Sequence, residues 1–377
     1  MRIGLDATPL LGPRTGIGRY TAELLDALAA REGTGPGDGD QLVATAFTLR
    51  GAGDLRQVVP PGVGTRTRRA PARLLRALWQ RSELPPVTWS TGALDVFHAT
   101  NFVLPPVGRA AGVVTVHDLS FLRVRESVGA ASLAYRELVP RSISRAAVVL
   151  TPSEAIADEV VAEYRLDPAR VLATPLGISA DWLGARPPTR AWSEERGLPT
   201  DYIVAVGTLE PRKGLQPLVD AFRELVRDDS AAPDLVLVGP RGWGAALDLG
   251  GMPAGRVHLT GFLADEALHQ VVAGSRGLAF PSRYEGFGLP PLEALACGRP
   301  VVVSDLPVMR EVLADHATYV PVDDRDALVE ALRALPAEPD EAASARRRAH
   351  AARYTWSACA SRTSQAYHLA HRHAGSA

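Results

Sequence analysis

The sequence predicts an α/β protein of two doubly wound domains, each a parallel sheet covered by helices, with the sheets facing a central cleft. Three observations lead there. The chain has 377 residues, too many for one ordinary hydrophobic core. Apolar strand-like runs alternate with helical patterns along most of its length, which is the rhythm of parallel sheets with helices on both faces. That rhythm breaks over Ile178–Thr200, where Pro187-Pro188, tryptophans and mixed charges replace it.

The first series of strands is read at Ile3–Asp6, Val43–Thr48, Asp95–His98, Val113–His117, Val148–Thr151 and Val171–Thr174. The second is read at Tyr202–Gly207, Leu235–Gly239, Val257–Thr260, Gly277–Pro281, Pro300–Ser304 and Tyr319–Pro321. Helices are read at Arg19–Ala30, Ser153–Tyr164, Leu215–Arg227, Asp265–Ala273 and Asp326–Leu335. Two Rossmann-like domains follow, residues 1–177 and 178–355. The Ala- and Arg-rich end of the chain is helical, and residues 356–377 are expected to pack back on the first domain. Gly33–Asp40, rich in Gly and Asp, reads as a loop.

Composition is 46% hydrophobic and 22% charged, ordinary for a soluble globular protein. A net charge of −1 argues against a general nucleic-acid binder. No apolar signal segment precedes the first strand, and no run approaches the roughly 18 apolar residues of a membrane span. Cys297 and Cys359 are far apart in sequence and form neither a disulfide framework nor a cysteine zinc site. The expectation is a cytoplasmic protein.

Ser282-Arg-Tyr-Glu-Gly-Phe-Gly-Leu-Pro-Pro-Leu-Glu293 carries the most chemistry. It follows a strand and places Glu285 in a glycine turn. Pro290 and Pro291 open a helix, because proline fits the first turn and needs no amide donor there. Glu293 lies one turn in. Free amides and the helix dipole at that end suit a diphosphate. The flanking carboxylates suit hydroxyls on either side of it, and a diphosphate between two polyols is a sugar nucleotide. Gly207-Thr-Leu-Glu-Pro-Arg-Lys-Gly214 follows the first strand of the second domain. Arg212 suits bidentate phosphate binding, and Lys213 adds a point charge.

In the first domain, Thr15-Gly-Ile-Gly-Arg-Tyr20 follows the first strand, and Gly16 and Gly18 would let backbone amides approach a ligand. Val113-Val-Thr-Val-His-Asp118 brings His117 and Asp118 to the cleft edge of a buried strand. His98 also ends a strand pattern, and a structural role is preferred for it. Asp38-Gly-Asp40 and Asp324-Arg-Asp326 match a loose metal-binding spacing. The first reads as loop and the second as a helix cap, so no metal site is expected. His368, His371 and His373 share no helical face and read as surface residues. Arg66–Arg81 holds six arginines and no acid, with Leu74, Leu75, Leu78 and Trp79 at helical spacing. The preferred reading packs that stripe on the sheet; the alternative is peripheral contact with an anionic membrane.

Taken together these motifs resemble the family 4 retaining glycosyltransferases of the GT-B fold, in the same order and over nearly the whole chain. Glu285 to Glu293 is similar to that family's E-x7-E motif, and Glu210-Pro-Arg-Lys-Gly214 to its phosphate-gripping loop. Thr15-Gly-Ile-Gly18 and the strand ending in His117-Asp118 resemble its acceptor-side elements. The resemblance implies a nucleotide-sugar donor on the second domain and an acceptor on the first. Glu285 would bind hydroxyls of the donor sugar, and the amides of Gly286, Phe287, Gly288 and Leu289 would meet sugar and diphosphate. Glu293 would hold the ribose. Arg212 and Lys213, with Gly207 beside them, would neutralise the leaving diphosphate. His117 would contact the donor sugar, with Asp118, Gly16 and Gly18 also on the donor side. Gly261-Phe262-Leu263 would face the base. Attack on the leaving group's own face, without metal, is the implied route to retention. GDP-mannose is the favoured donor, with UDP- or dTDP-sugars behind it. The acceptor is a carbohydrate, lipid-linked glycan or natural product. The alternatives are a sugar-nucleotide epimerase and a non-catalytic sugar-nucleotide-binding partner protein.

Overall fold

The computed structural model describes residues 1–12, 16–31, 39–48, 53–68, 71–124, 129 and 133–375. The chain divides into two compact units. One comprises Met1–Leu119, Ala131–Gly177 and Trp356–Ala377; the other comprises Ser120–Ala130 and Ile178–Thr355.

Among the described residues the first unit holds a parallel sheet of β1 (Arg2–Asp6), β2 (Gln41–Thr45), β3 (Gly64–Thr65), β4 (Val96–Ala99), β5 (Ala111–Thr115), β6 (Val148–Thr151) and β7 (Val171–Ala173). Their order is β3-β2-β1-β4-β5-β6-β7. β4, β5 and β6 are buried at every residue, as strands covered on both faces must be, and this accounts for their unbroken apolar runs. The strand order reverses between β1 and β4. Crossover helices leave on opposite faces there, so the carboxyl ends of those two strands stay open to a ligand.

The helix Trp356–Gly375 packs on the helix Gly16–Ala29 and on β4, β5 and β6. A buried polar chain pins it. Tyr367 Oη meets His98 Nδ1 at 2.8 Å, and His98 Nε2 meets Thr115 Oγ1 at 2.7 Å. Thr115 Oγ1 in turn meets Tyr20 Oη at 3.0 Å. Burial drives the His98 imidazole down to about 3, so it is neutral and one ring nitrogen must accept. His98 is structural.

The second unit holds, among the described residues, a parallel sheet of β8 (Tyr202–Val206), β9 (Asp234–Val238), β10 (Val257–Gly261), β11 (Gly277–Phe280), β12 (Val301–Ser304) and β13 (Thr318–Val320). Their order is β10-β9-β8-β11-β12-β13, reversing between β8 and β11. Leu215, Leu218, Val219, Phe222, Leu225 and Val226 of the helix Leu215–Asp228 fall on one stripe and bury against β8 and β9.

Several boundaries differ from expectation for physical reasons. Pro281, Pro300 and Pro321 lie outside the strands assigned to them, since proline cannot donate to a ladder. β5 ends at Thr115, two residues before His117. The first helix begins at Gly16 rather than Arg19, because burial of Tyr20, Leu24, Leu25 and Leu28 outweighs the low helix propensity of Gly16 and Gly18. Thr15, residues 33–38 of the glycine-rich loop, Asp38 of the first D-x-D and Arg69 lie outside the described residues. Asp324 caps the helix Arg325–Arg333 by accepting from Ala327 N at 3.0 Å. Cys297 and Cys359 are free and buried. Among the described residues no helix is long and apolar enough to cross a membrane.

The basic segment needs a correction. Its helix is only Ala72–Trp79, and of the expected stripe Leu75 and Trp79 are buried while Leu74 and Leu78 are 55% and 42% exposed. Leu75 and Trp79 lie four apart on one face; Leu74 and Leu78 form the next row, about 100° round the axis, and a helix this short presents only one row to the core.

Replacing Tyr367 by Phe keeps the ring and removes the hydroxyl, leaving His98 Nδ1 buried without a partner. The expected cost is about 1–2 kcal/mol in the unfolding free energy from chemical denaturation. An unchanged midpoint would show that the polar chain does not hold the helix.

Candidate active site

The second unit brings Arg212, Lys213 and Glu285 into direct contact at the open carboxyl ends of β8 and β11. The loop after β8 makes a 3-10 turn, Pro211–Lys213, and leaves it through Gly214 with φ +64°. A Cβ there would sit 2.0 Å from Pro281 O, so the close approach of the two loops requires glycine. Arg283 N donates to Arg212 O at 2.9 Å and fastens one loop to the other.

Four charges meet at this junction. Arg212 Nε and Nη2 donate to Glu210 Oε1 at 3.2 and 2.9 Å, and Nη1 donates to Tyr284 O at 3.0 Å. Glu285 Oε2 lies 3.5 Å from Arg212 Nη1, and Lys213 Nζ donates to Glu285 Oε1 at 2.6 Å. Lys213 Nζ also lies over the Phe280 ring, 5.0 Å from its centroid. All four side chains are at most 15% exposed. Burial raises the Glu210 carboxyl despite Arg212 and Lys213. Burial pushes Glu285 the same way, but Lys213 and then Arg212 outweigh it and hold its carboxyl below the usual range. Glu285 is therefore an anion at neutral pH. Sequence reasoning gave Lys213 to a diphosphate and Glu285 to a sugar; the structure pairs them with each other. It also adds Glu210 and the Tyr284 carbonyl, which hold the Arg212 guanidinium. Glu210 was legible as an acid two residues before Arg212, whereas a backbone carbonyl leaves no mark in a sequence.

Beyond Glu285 the chain turns through Gly288 (φ +90°), where a Cβ would strike the Met309 side chain at 2.6 Å. The helix Leu289–Ala296 follows, with Pro290 and Pro291 in its first turn. Neither proline has an N–H, so Leu289 supplies the amide among these first three positions. Phe287 is buried edge-on to Tyr354, leaving its backbone as the part able to meet a ligand. Glu293 is buried within the helix. Gly207 stands at the end of β8. Gly261 ends β10, two strands away, followed by Phe262, which is 60% exposed, and Leu263.

On the first unit His117 is partly buried in a box that the sequence did not reveal. Its Nε2 lies 2.8 Å from Thr100 O. A carbonyl can only accept, so Nε2 carries the proton and Nδ1 of the neutral ring is an acceptor. Tyr20 and Phe102 meet the ring edge-on, with centroids at 4.8 and 5.5 Å. Phe102 takes φ +58°, a left-handed conformation unusual for an aromatic residue, and stacks on Tyr135. Burial lowers the His117 pKa, with Thr100 O and Asp118 opposing more weakly. Gly16 and Gly18 lie in the first turn of the helix that carries Tyr20.

A cavity of about 100 Å³ opens beside the end of β1, lined by Asp6, Thr8, Phe47, Arg76, Trp79 and Asn101. Asp6 Oδ1 accepts from Thr8 N at 2.9 Å and from Thr8 Oγ1 at 2.5 Å. Burial raises its carboxyl above the usual range, against the bonds from Thr8 and the Arg76 charge. Arg76 and Trp79 thus belong to a pocket wall, a role not foreseen for the basic segment.

These contacts fix an observable. In an NMR pH titration of the intact protein, His117 is expected to be the neutral Nε2–H tautomer at pH 7, titrating below 6.5. A midpoint above 7 would contradict the assigned bond and burial.

Comparison with known proteins agrees with this architecture. The family described as "Glycosyl transferases group 1" matches residues 200–338, and "Glycosyl transferase 4-like domain" matches residues 15–177. An O-antigen chain mannosyltransferase B of Escherichia coli is 30% identical over 98% of this chain and 100% of its own length. A sucrose-phosphate synthase from Thermosynechococcus elongatus superimposes with a TM-score of 0.68 at 19% identity, covering 97% of this chain and 98% of that one. The Anabaena HepE protein, solved with UDP and glucose, gives 0.66 at 18% identity over 97% of this chain and 98% of that one. These two structures establish the likeness of fold. The epimerase and non-catalytic alternatives give way to transfer, and the chain belongs to the GT4-type glycosyltransferases of the GT-B fold.

Proposed function

We propose that this glycosyltransferase moves a hexose, mannose in the favoured case, from a nucleotide sugar to a hydroxyl of a glycan, lipid-linked or small-molecule acceptor, with retention and without metal. GDP-mannose is the favoured donor, ahead of UDP- and dTDP-sugars. The observation that carries the reading is the buried cluster of Glu210, Arg212, Lys213 and Glu285 at the start of a helix. Breaking a glycosyl–phosphate bond builds negative charge on the departing diphosphate. Arg212, Lys213 and the amides from Gly286 to Leu289 are suited to receive it. Glu285 takes the sugar hydroxyls, Glu293 the ribose, and Phe262 with Gly261 and Leu263 the base. Gly207 lets the diphosphate approach the end of β8.

His117 is assigned to the donor sugar: as an Nε2–H tautomer it offers Nδ1 to a hydroxyl proton. Asp118, Gly16 and Gly18 are assigned to the donor side with it. The Asp6 cavity, a carboxylate with Arg76 and Asn101 beside it, suits acceptor hydroxyls. Retention by two displacements would need a carboxylate below the anomeric carbon. Glu285 is engaged by Lys213 and is not assigned that role. Same-face attack, with the leaving phosphate oxygen taking the acceptor proton, needs no further residue. The whole-length likeness to a mannosyltransferase named for an O-antigen chain supports mannose and a glycan acceptor. The exposed Leu74, Leu78, Leu84 and Trp89, along one arginine-bearing stretch, support peripheral contact with an anionic membrane from the inner, cytoplasmic face.

A melting-temperature panel of GDP-mannose and other GDP-, UDP-, dTDP- and ADP-sugars tests the donor. GDP-mannose is expected to give the largest rise, since a ligand of the folded state stabilises it by linkage. A larger rise from another base would replace the donor, and no rise from any would overturn the reading.

A further inference from the structure

We propose that the second unit carries another anion site, at the amino-terminal edge of its sheet, which takes a phosphate-bearing small molecule. A cavity of about 470 Å³ opens there, with Thr200, Ser275, Arg276, Arg299, Ser344 and Arg347 on its wall. This is the size of a small-molecule site rather than of a lone ion. The wall residues immediately precede β8, β11 and β12 or lie on the helix Glu341–Ala351. The donor loops leave the opposite ends of the same strands, roughly 15 Å away for strands of this length. The two sites are therefore distinct.

The charges around this cavity are unequally matched. Arg276 forms a two-pronged ion pair with Asp201. Asp340 spends its carboxylate on Ala343 N, capping the helix Glu341–Ala351, and Arg348 pairs with Glu341. Arg347 Nη1 donates to Gly298 O at 3.3 Å, at the end of the helix Leu289–Ala296. Arg299 differs from all of these. Among the described residues its half-buried side chain forms no hydrogen bond or close ion pair, its Nε is buried without an acceptor, and Glu341 attracts it only from a distance. Burial lowers the pKa of both Arg299 and Arg347; Cys297, Tyr202 and Glu341 oppose this at the first while Arg348 adds to it, and Asp340 opposes it at the second while Arg346 and Arg299 add to it.

The buried Nε of Arg299 lacks an acceptor, and an anion in the cavity would supply one. Phosphate oxygens fit a guanidinium fork, and the hydroxyls of Ser344 and Thr200 can donate to the same group. The remaining volume leaves room for an organic portion such as a sugar ring.

Calorimetry on the full chain tests this, with inorganic phosphate and glucose 1-phosphate titrated into wild type, R299Q and R347Q. The donor-loop cations are intact in all three, so the difference isolates this site. Saturable binding to wild type, weakened at least tenfold in both variants, is expected. Should R299Q fail to fold, R347Q carries the same comparison. Flotation with phosphatidic acid vesicles separates the sources: R299-dependent flotation without soluble binding would name a lipid headgroup. Equal isotherms in all three proteins, or no binding of any phosphate by wild type, would overturn the proposal and leave Arg299 a helix-end residue.

Discussion

Lys213 and Glu285 meet at 2.6 Å as a buried ion pair. Everything else at this edge of the sheet follows from keeping that pair in position. Gly214 lets the loop of Lys213 press against Pro281, and Arg212 O fastens it to Arg283 N. Glu210 accepts two bonds from the Arg212 guanidinium and holds it in place. On the proposed reading, a diphosphate entering this junction would compete with Glu285 for Lys213. The Glu285 carboxylate would then keep only the longer contact to Arg212 and would take hydroxyl donors, because an under-paired buried charge is costly. The sugar of the donor would supply them. Neutralising the leaving group and preparing the carboxylate for the sugar would thus be one exchange.

Both units place chemistry where their strand order reverses. In the second unit this is the junction of β8 and β11; in the first it is the end of β1 and β4, where Asp6 and Thr100 lie. Thr100 links that edge to His117, since its carbonyl holds Nε2 and so sets the tautomer. Tyr20 links it to the C-terminal helix, since the ring beside His117 carries the hydroxyl that ends the chain through Thr115 and His98 to Tyr367. A long helix at the far end of the sequence therefore supports the packing of a residue assigned to the donor sugar.

Much of this was legible in the sequence because periodicity and punctuation are local. Strand runs, Pro290-Pro291 and the glycine-bounded Arg212-Lys213 loop announce their backbone shapes without tertiary knowledge. The boundaries failed where tertiary packing overrode propensity, as at Gly16, or where proline closes a ladder. The partners within the protein were not legible for another reason. Whether Lys213 faces water, phosphate or Glu285 depends on two loops 72 positions apart meeting, and spacing within each loop says nothing of it. His117 was legible as the end of a buried run, but its tautomer rests on a carbonyl of another strand. The stripe on the basic segment misled because helical spacing does not say how wide a face the core accepts.

The exchange at Lys213 is tested most directly by calorimetric titration of Glu285→Gln with GDP, and with UDP beside it. The account predicts affinity at least equal to wild type, because the carboxylate that competes for Lys213 is gone while Arg212 and the helix amides remain. A tenfold or greater loss of affinity for the diphosphate would show that Glu285 supports its binding rather than opposing it, and would contradict the account.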